Sequence, residues 1–136
     1  MQFVDKASHI ITVLIVEDEK TLRDACCDVL SMFGDRILLA ANGEEAVRLV
    51  EQHSDHVDCV LLDMSMPGMS GIETYHAVRA IKPDLPVVIT SGHDAAHVLG
   101  NFPVNGVADY VQKPYGMREL YEKLRQVIAA QRLAHS

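Results

Sequence analysis

The feature that most constrains this chain is an alternation. Short, almost wholly apolar runs are separated by longer segments whose apolar residues recur at helical spacing. The runs are Ile10 to Val16, "RILLAA", "VDCVLLD", "LPVVITSG" and "VADYVQKP". Runs with no polar alternation read as strands buried on both faces, which is the signature of a parallel sheet. Between and after them lie "KTLRDACCDVLSMFG", "NGEEAVRLVEQH", "SGIETYHAVRAIK", a weak stretch "DAAHVLGNFPVNG", and "YGMRELYEKLRQVIAAQRL". In the first of these, Leu22, Cys26, Val29, Leu30 and Phe33 fall on one face. In the second, Ala46, Val47 and Val50 do so. In the last, Met117, Leu120, Tyr121, Leu124, Val127 and Ile128 do so. Gly34 and Pro83 stop two of the helices, and Pro86 opens a strand where its missing N–H does least harm. Strand and helix therefore alternate through five units, giving an α/β fold, doubly wound, with helices on both faces and right-handed crossovers. Gly100, Pro103 and Gly106 limit the fourth helix to a short one followed by an irregular link.

The 136 residues suit one domain. We expect residues 1–9 to be a lead-in, 10–132 the domain and 133–136 a tail. A net charge of −7 argues against direct nucleic-acid binding or association with an anionic membrane. No run of about 18 apolar residues offers a membrane-spanning helix, and the N-terminus lacks a signal pattern. Cys26, Cys27 and Cys59 form no CxxC pair, and an odd number of cysteines suits reduced thiols and a cytoplasmic location.

In open α/β sheets, ligands sit outside the carboxyl ends of the strands. The residues at those ends are Glu17 and Asp18 after the first strand, Asp63 after the third, Ser91 after the fourth and Lys113 after the fifth. Taken singly, each has a bland reading as a helix cap, a loop residue or a solvated charge. Together they place three carboxylates, a hydroxyl and an amine on one edge. Crowded carboxylates repel unless a cation joins them, and oxygen ligands with water suit Mg²⁺. An aspartate in that setting is a competent nucleophile for phosphoryl transfer, with the metal and the lysine neutralising charge on the moving group.

The stretches "VLIVEDE", "VLLDMSMPGMSG", "PVVITSG" and "YVQKPY" resemble the receiver domain of two-component response regulators, over about residues 11 to 131. The resemblance implies a flavodoxin-like sheet of order 2-1-3-4-5, the order for which receiver proteins are a standing example. It implies that Asp63 is phosphorylated and that Asp18 binds Mg²⁺ directly, with Glu17 acting through water and the Ser65 carbonyl as a further ligand. Mn²⁺ can substitute. It further implies that Ser91 and Lys113 hold the phosphoryl group, that the bond to Pro114 is cis, and that Tyr110 swings inward with Ser91. Pro67 and Gly68 steer the loop after Asp63, and Gly71 opens the third helix. The implied partners are a sensor histidine kinase or a histidine phosphotransfer protein, a linked kinase or effector domain, and a phosphorylation-linked dimer. Such a domain is a phospho-accepting switch rather than a free-standing enzyme.

This chain departs from the family in having Glu17 where many members have Asp, and in its poor fourth helix. Ser65 and His93 occupy positions that tune phosphoryl lifetime in the family. "TSG" and "KPYGMREL" resemble hybrid-kinase receivers, and both a stand-alone regulator and a receiver from a longer protein stay open. A haloacid dehalogenase-type phosphatase would need a second Asp where Ser65 stands. A flavin module would need a glycine- and hydroxyl-rich loop where the acids stand, and a pseudo-receiver would lack Asp63 or Lys113. His93 and His97 have metal-pair spacing but no third ligand in the motif.

Overall fold

Burial, strand by strand, separates the middle of the sheet from its edges. The computed structural model describes residues 10–66, 68–103 and 106–134; the lead-in 1–9, Pro67 and the last two residues of the tail lie outside the described residues. Five strands, β1 (Thr12–Val16), β2 (Arg36–Ala40), β3 (Cys59–Asp63), β4 (Val87–Ser91) and β5 (Asp109–Gln112), form one parallel sheet in the order β2-β1-β3-β4-β5. Every residue of β1, β3 and β4 is buried, whereas β2 and β5, at the edges, are only partly so. The doubly apolar reading thus holds for the three central strands, and the edge strands cover one flank each.

Alternation along the strands divides the core in two. Leu14, Val16, Val60, Leu62, Val87 and Ile89 face one side, under α2 (Gly43–His53), α3 (Gly71–Ile81) and α4 (Ala95–Leu99). Val13, Ile15, Leu61, Val88 and Val111 face the other, under α1 (Lys20–Met32) and α5 (Met117–Ala134). Leu120, Leu124, Val127 and Ile128 are the buried stripe of α5, and Cys26 and Leu30 that of α1. Each such side chain contributes about 1.5–3 kcal/mol by leaving water.

Two expectations fail here. Ile10 stands outside the ladder and is 48% exposed. Phe33, expected on the inward face of α1, is 47% exposed. The helix ends at Met32, and Phe33 follows as its cap with φ −91° and ψ 7°, which turns the ring off the stripe and onto Tyr121, with centroids 3.8 Å apart.

Caps fix where helices begin. Asn42 accepts from the Glu45 N–H at the start of α2, Ser70 and Glu73 form a reciprocal capping box on α3, and Asp94 accepts from the His97 N–H on α4. Helix α1 has no side-chain cap. The fourth helix is five residues long, as short as its glycines and proline suggested. Gly71 is needed where it stands, since a Cβ there would lie 3.0 Å from the Met64 Cα. That close approach packs the loop after Asp63 against the start of α3.

Candidate functional site at the carboxyl edge of the sheet

Parity along β1, β3 and β5 brings three side chains to one place. Glu17 follows Val16, and its N–H still bonds the Ala40 carbonyl at 3.0 Å, so the strand geometry carries one residue past the end of β1. Asp63 closes β3 and is 1% exposed; Glu17 is 3% exposed. The Lys113 Nζ reaches Glu17 Oε1 at 2.9 Å and Asp63 Oδ2 at 3.4 Å. Two backbone amides complete the set: Ser65 N–H donates to Asp63 Oδ1 at 3.1 Å, and Glu19 N–H donates to Glu17 Oε2 at 3.1 Å. Asp18 is exposed, and its carboxylate joins those of Glu17 and Asp63, with one oxygen of each within 4.8 Å of the others.

Three carboxylates facing one lysine leave an excess of negative charge. Burial pushes the Glu17 carboxyl above its ordinary range, and the charge of Asp63 adds to the push, against the hydrogen bonds from Lys113 and Glu19. For Lys113, burial works against the charge. The hydrogen bond to Glu17 and the charges of Asp63 and Glu17 outweigh it, and the amine ends above its usual value. An all-oxygen donor set, converging on one point and reachable by water through Asp18, fits Mg²⁺ rather than a thiolate- or imidazole-loving metal.

The hydroxyl at the end of β4 is arranged differently. Ser91 is 1% exposed, and its Oγ accepts from the His93 N–H at 3.1 Å, which leaves its O–H to donate. Its carbonyl receives two donors, the Lys113 N–H at 2.7 Å and the Tyr110 hydroxyl at 3.4 Å. Tyr110 pairs with Ile89 in the ladder and is half-buried against the core. One carbonyl therefore links the serine, the lysine and the tyrosine. The Lys113–Pro114 peptide is cis. Ser65 lies exposed on the rim.

Some neighbours gave no signal in the sequence. Arg23 Nη1 donates to the Glu17 carbonyl at 2.8 Å and to the Asp18 carbonyl at 3.4 Å. Tyr115 hydroxyl and Cys26 Sγ lie 3.5 Å apart, and burial pushes both above their ordinary values. An open hollow of about 410 Å³ beside Lys113 is lined by Glu19, Leu22, Pro114 and Tyr115. All three cysteines are free, and burial pushes the Cys59 thiol up to about 12. The His93 and His97 rings stand 4.7 Å apart, exposed, on either side of the Asp94 cap of α4, and among the described residues no third metal-ligating side chain groups with them.

Comparison with known proteins identifies the family of this fold. The model of the response regulator receiver domain matches residues 13–125. A cyclic di-GMP phosphodiesterase of Thermotoga maritima is 34% identical over 87% of this chain and 31% of its own length. This chain spans 31% to 52% of the lengths of the first curated relatives it matches. Among solved structures, the receiver domain of the hybrid histidine kinase CckA is 29% identical, with a TM-score of 0.73 over 86% of this chain and 98% of that one. The CheX–CheY–BeF3–Mg complex of Borrelia burgdorferi gives 25% identity and a TM-score of 0.82, over 89% and 92%. The chain belongs to the response regulator receiver domain family.

Proposed function

We propose that this receiver domain accepts a phosphoryl group from a phosphohistidine onto Asp63. The observation that carries the reading is a carboxylate 1% exposed, fixed by the Ser65 amide and Lys113, with two further carboxylates converging on it. An Asp63 oxygen attacks phosphorus, the new O–P bond forms, and the P–N bond breaks with its electron pair left on the donor imidazole. Lys113 neutralises one phosphoryl oxygen, and the free Ser91 O–H donates to another. Asp18, Asp63 and the Ser65 carbonyl would hold Mg²⁺ or Mn²⁺, with Glu17 acting through water. Such an ion, when bound, supplies charge neutralisation for the phosphoryl oxygens.

Readout then starts from the Ser91 carbonyl. If Ser91 turns toward the phosphoryl group, the acceptor of the Tyr110 hydroxyl moves with it, and the tyrosine shifts against the half-buried surface around it. The donor would be a sensor kinase or a histidine phosphotransfer protein, and the output a linked domain or a separate partner. The greater length of the relatives supports a linked domain. The likeness to the CckA receiver supports a hybrid kinase as one such linkage. The test is incubation with acetyl phosphate and Mg²⁺ followed by intact mass. We expect one added phosphoryl group on wild type, none on Asp63→Asn and none in EDTA; full labelling of Asp63→Asn sinks the assignment.

A further inference from the structure

Helix α1 begins against the usual rules. Its first turn holds no acidic residue and its cap position, Glu19, makes no side-chain capping bond. Lys20 and Arg23 stand instead at the positive end of the helix dipole, where cations are unfavourable. Among the described residues, α2, α3 and α4 each start on a capping side chain. Lys20 is accounted for by its ion pair with Asp24 at 2.6 Å. Arg23 points back beyond the helix and donates to two consecutive carbonyls, those of Glu17 and Asp18. These peptide units carry the two acidic side chains at the site.

We propose that Arg23 is a positioning residue for the acidic pocket: by tying the Glu17 and Asp18 carbonyls, it sets the peptide planes from which both carboxylates project and so raises the affinity for a divalent cation. The proposal rests on the reading of the pocket as a Mg²⁺ site. It opposes a simpler effect. A guanidinium near a cation site lowers cation affinity by repulsion, so the two roles predict opposite signs when Arg23 is removed. Arg23 touches the ligands' backbone and no reacting atom, and it acts through the loop.

The experiment is a Mg²⁺ titration of the full chain, followed by the backbone amide shifts of Glu17, Asp18 and Asp63, with the metal-free unfolding midpoint measured in parallel. Arg23→Ala should weaken Mg²⁺ roughly ten-fold, the lower end for groups that orient metal ligands. Arg23→Lys should recover much of that loss, since an ammonium can also donate twice. Lys20→Ala, which removes an equal charge from the same turn without touching the loop, should leave affinity near wild type or slightly tighter. Tighter or unchanged binding in Arg23→Ala overturns the proposal in favour of bare repulsion. So does a lower metal-free midpoint with wild-type affinity, which would make Arg23 a fold contact only. If the wild-type amides do not respond to Mg²⁺ at all, the metal reading itself falls, a result distinguishable from any difference among the variants.

Discussion

Two buried carboxylates at opposite ends of the sheet have been given opposite surroundings. Asp35 lies at the amino end, just before β2, and Asp63 at the carboxyl end of β3. Asp35 has its own cation, Arg125 at 2.5 Å. Arg125 donates in turn to the Tyr121 hydroxyl at 3.1 Å and lies 5.2 Å from the centre of that ring, and the ring stacks on Phe33. One acid meets one base under a roof of aromatic rings. At the other end Lys113 pairs with Glu17 and Asp63, the exposed Asp18 carboxylate converges on both acids, and a hollow opens beside the amine. At the amino end the fold gives a buried carboxylate a cation of its own, and at the carboxyl edge it leaves an excess of negative charge open. An unmatched charge beside solvent is a place for something to bind.

The largest expected effect sets the two ends against each other directly. Tyr121→Ala removes the stack, the ring under Arg125 and a hydrogen bond; we expect a cost of about 2 kcal/mol and a fall in the unfolding midpoint of roughly 6–10 °C, with labelling by acetyl phosphate retained at temperatures where the domain is folded. Asp63→Ala should do the reverse. Labelling disappears, while metal-free stability stays within about 1 kcal/mol of wild type or rises, because like charges are relieved. If thermal melts show Asp63→Ala to be the more damaging of the two, the carboxyl edge is a structural site and the contrast collapses.

A second, smaller effect tests how complete the match at Asp35 is. Burial raises the Asp35 carboxyl above its ordinary 3.8, outweighing the charge and hydrogen bond of Arg125. The folded state therefore holds the proton more tightly than the unfolded chain. Stability is gained as pH falls through the folded range toward 3.8 and is absent at neutral pH. Wild type should gain on Asp35→Asn as urea midpoints are taken from neutral pH downward. Glu17 shifts in the same direction, and it cancels in that difference. A difference that does not change with pH would mean that Arg125 balances Asp35 fully.

The smallest effect lies beside Asp63 itself. Thr90 pairs with Asp63 in the ladder and is 1% exposed, and among the described residues its Oγ1 is one of two buried side-chain oxygens without a hydrogen-bond partner. An orphaned hydroxyl costs more than a methyl of the same shape. Thr90→Val should raise stability by up to about 1 kcal/mol without loss of labelling. A lower midpoint would show that the hydroxyl has a partner in solution.

What the sequence disclosed and what it withheld follow one physical line. Glu17, Asp63 and Lys113 were legible because each stands at the end of an apolar run, and the ends of parallel strands meet. The sheet was legible because β1, β3 and β4 are buried on both faces and show it in every residue. Phe33 was misplaced because helical spacing says nothing about the residue at which a helix stops. Arg23 and Asp35 carried no signal of their own in the sequence. Their partners are distant carbonyls or a side chain from α5, and only the folded backbone brings them into reach. Ser91 and Tyr110 were both named from the sequence, but the carbonyl that joins them was not.

Strand order has a consequence for how the domain is made. The acids of the pocket come from the loops after β1 and β3, and their lysine from the loop after β5. A chain leaving the ribosome amino end first exposes Glu17, Asp18 and Asp63 well before Lys113 exists, and β4 must pair before β5 can deliver it. During synthesis the negative pocket thus lacks its lysine until the last strand arrives. On the proposed reading, a chain that stops short of the fifth strand carries the acceptor and its acidic neighbours without the lysine that neutralises the phosphoryl oxygens.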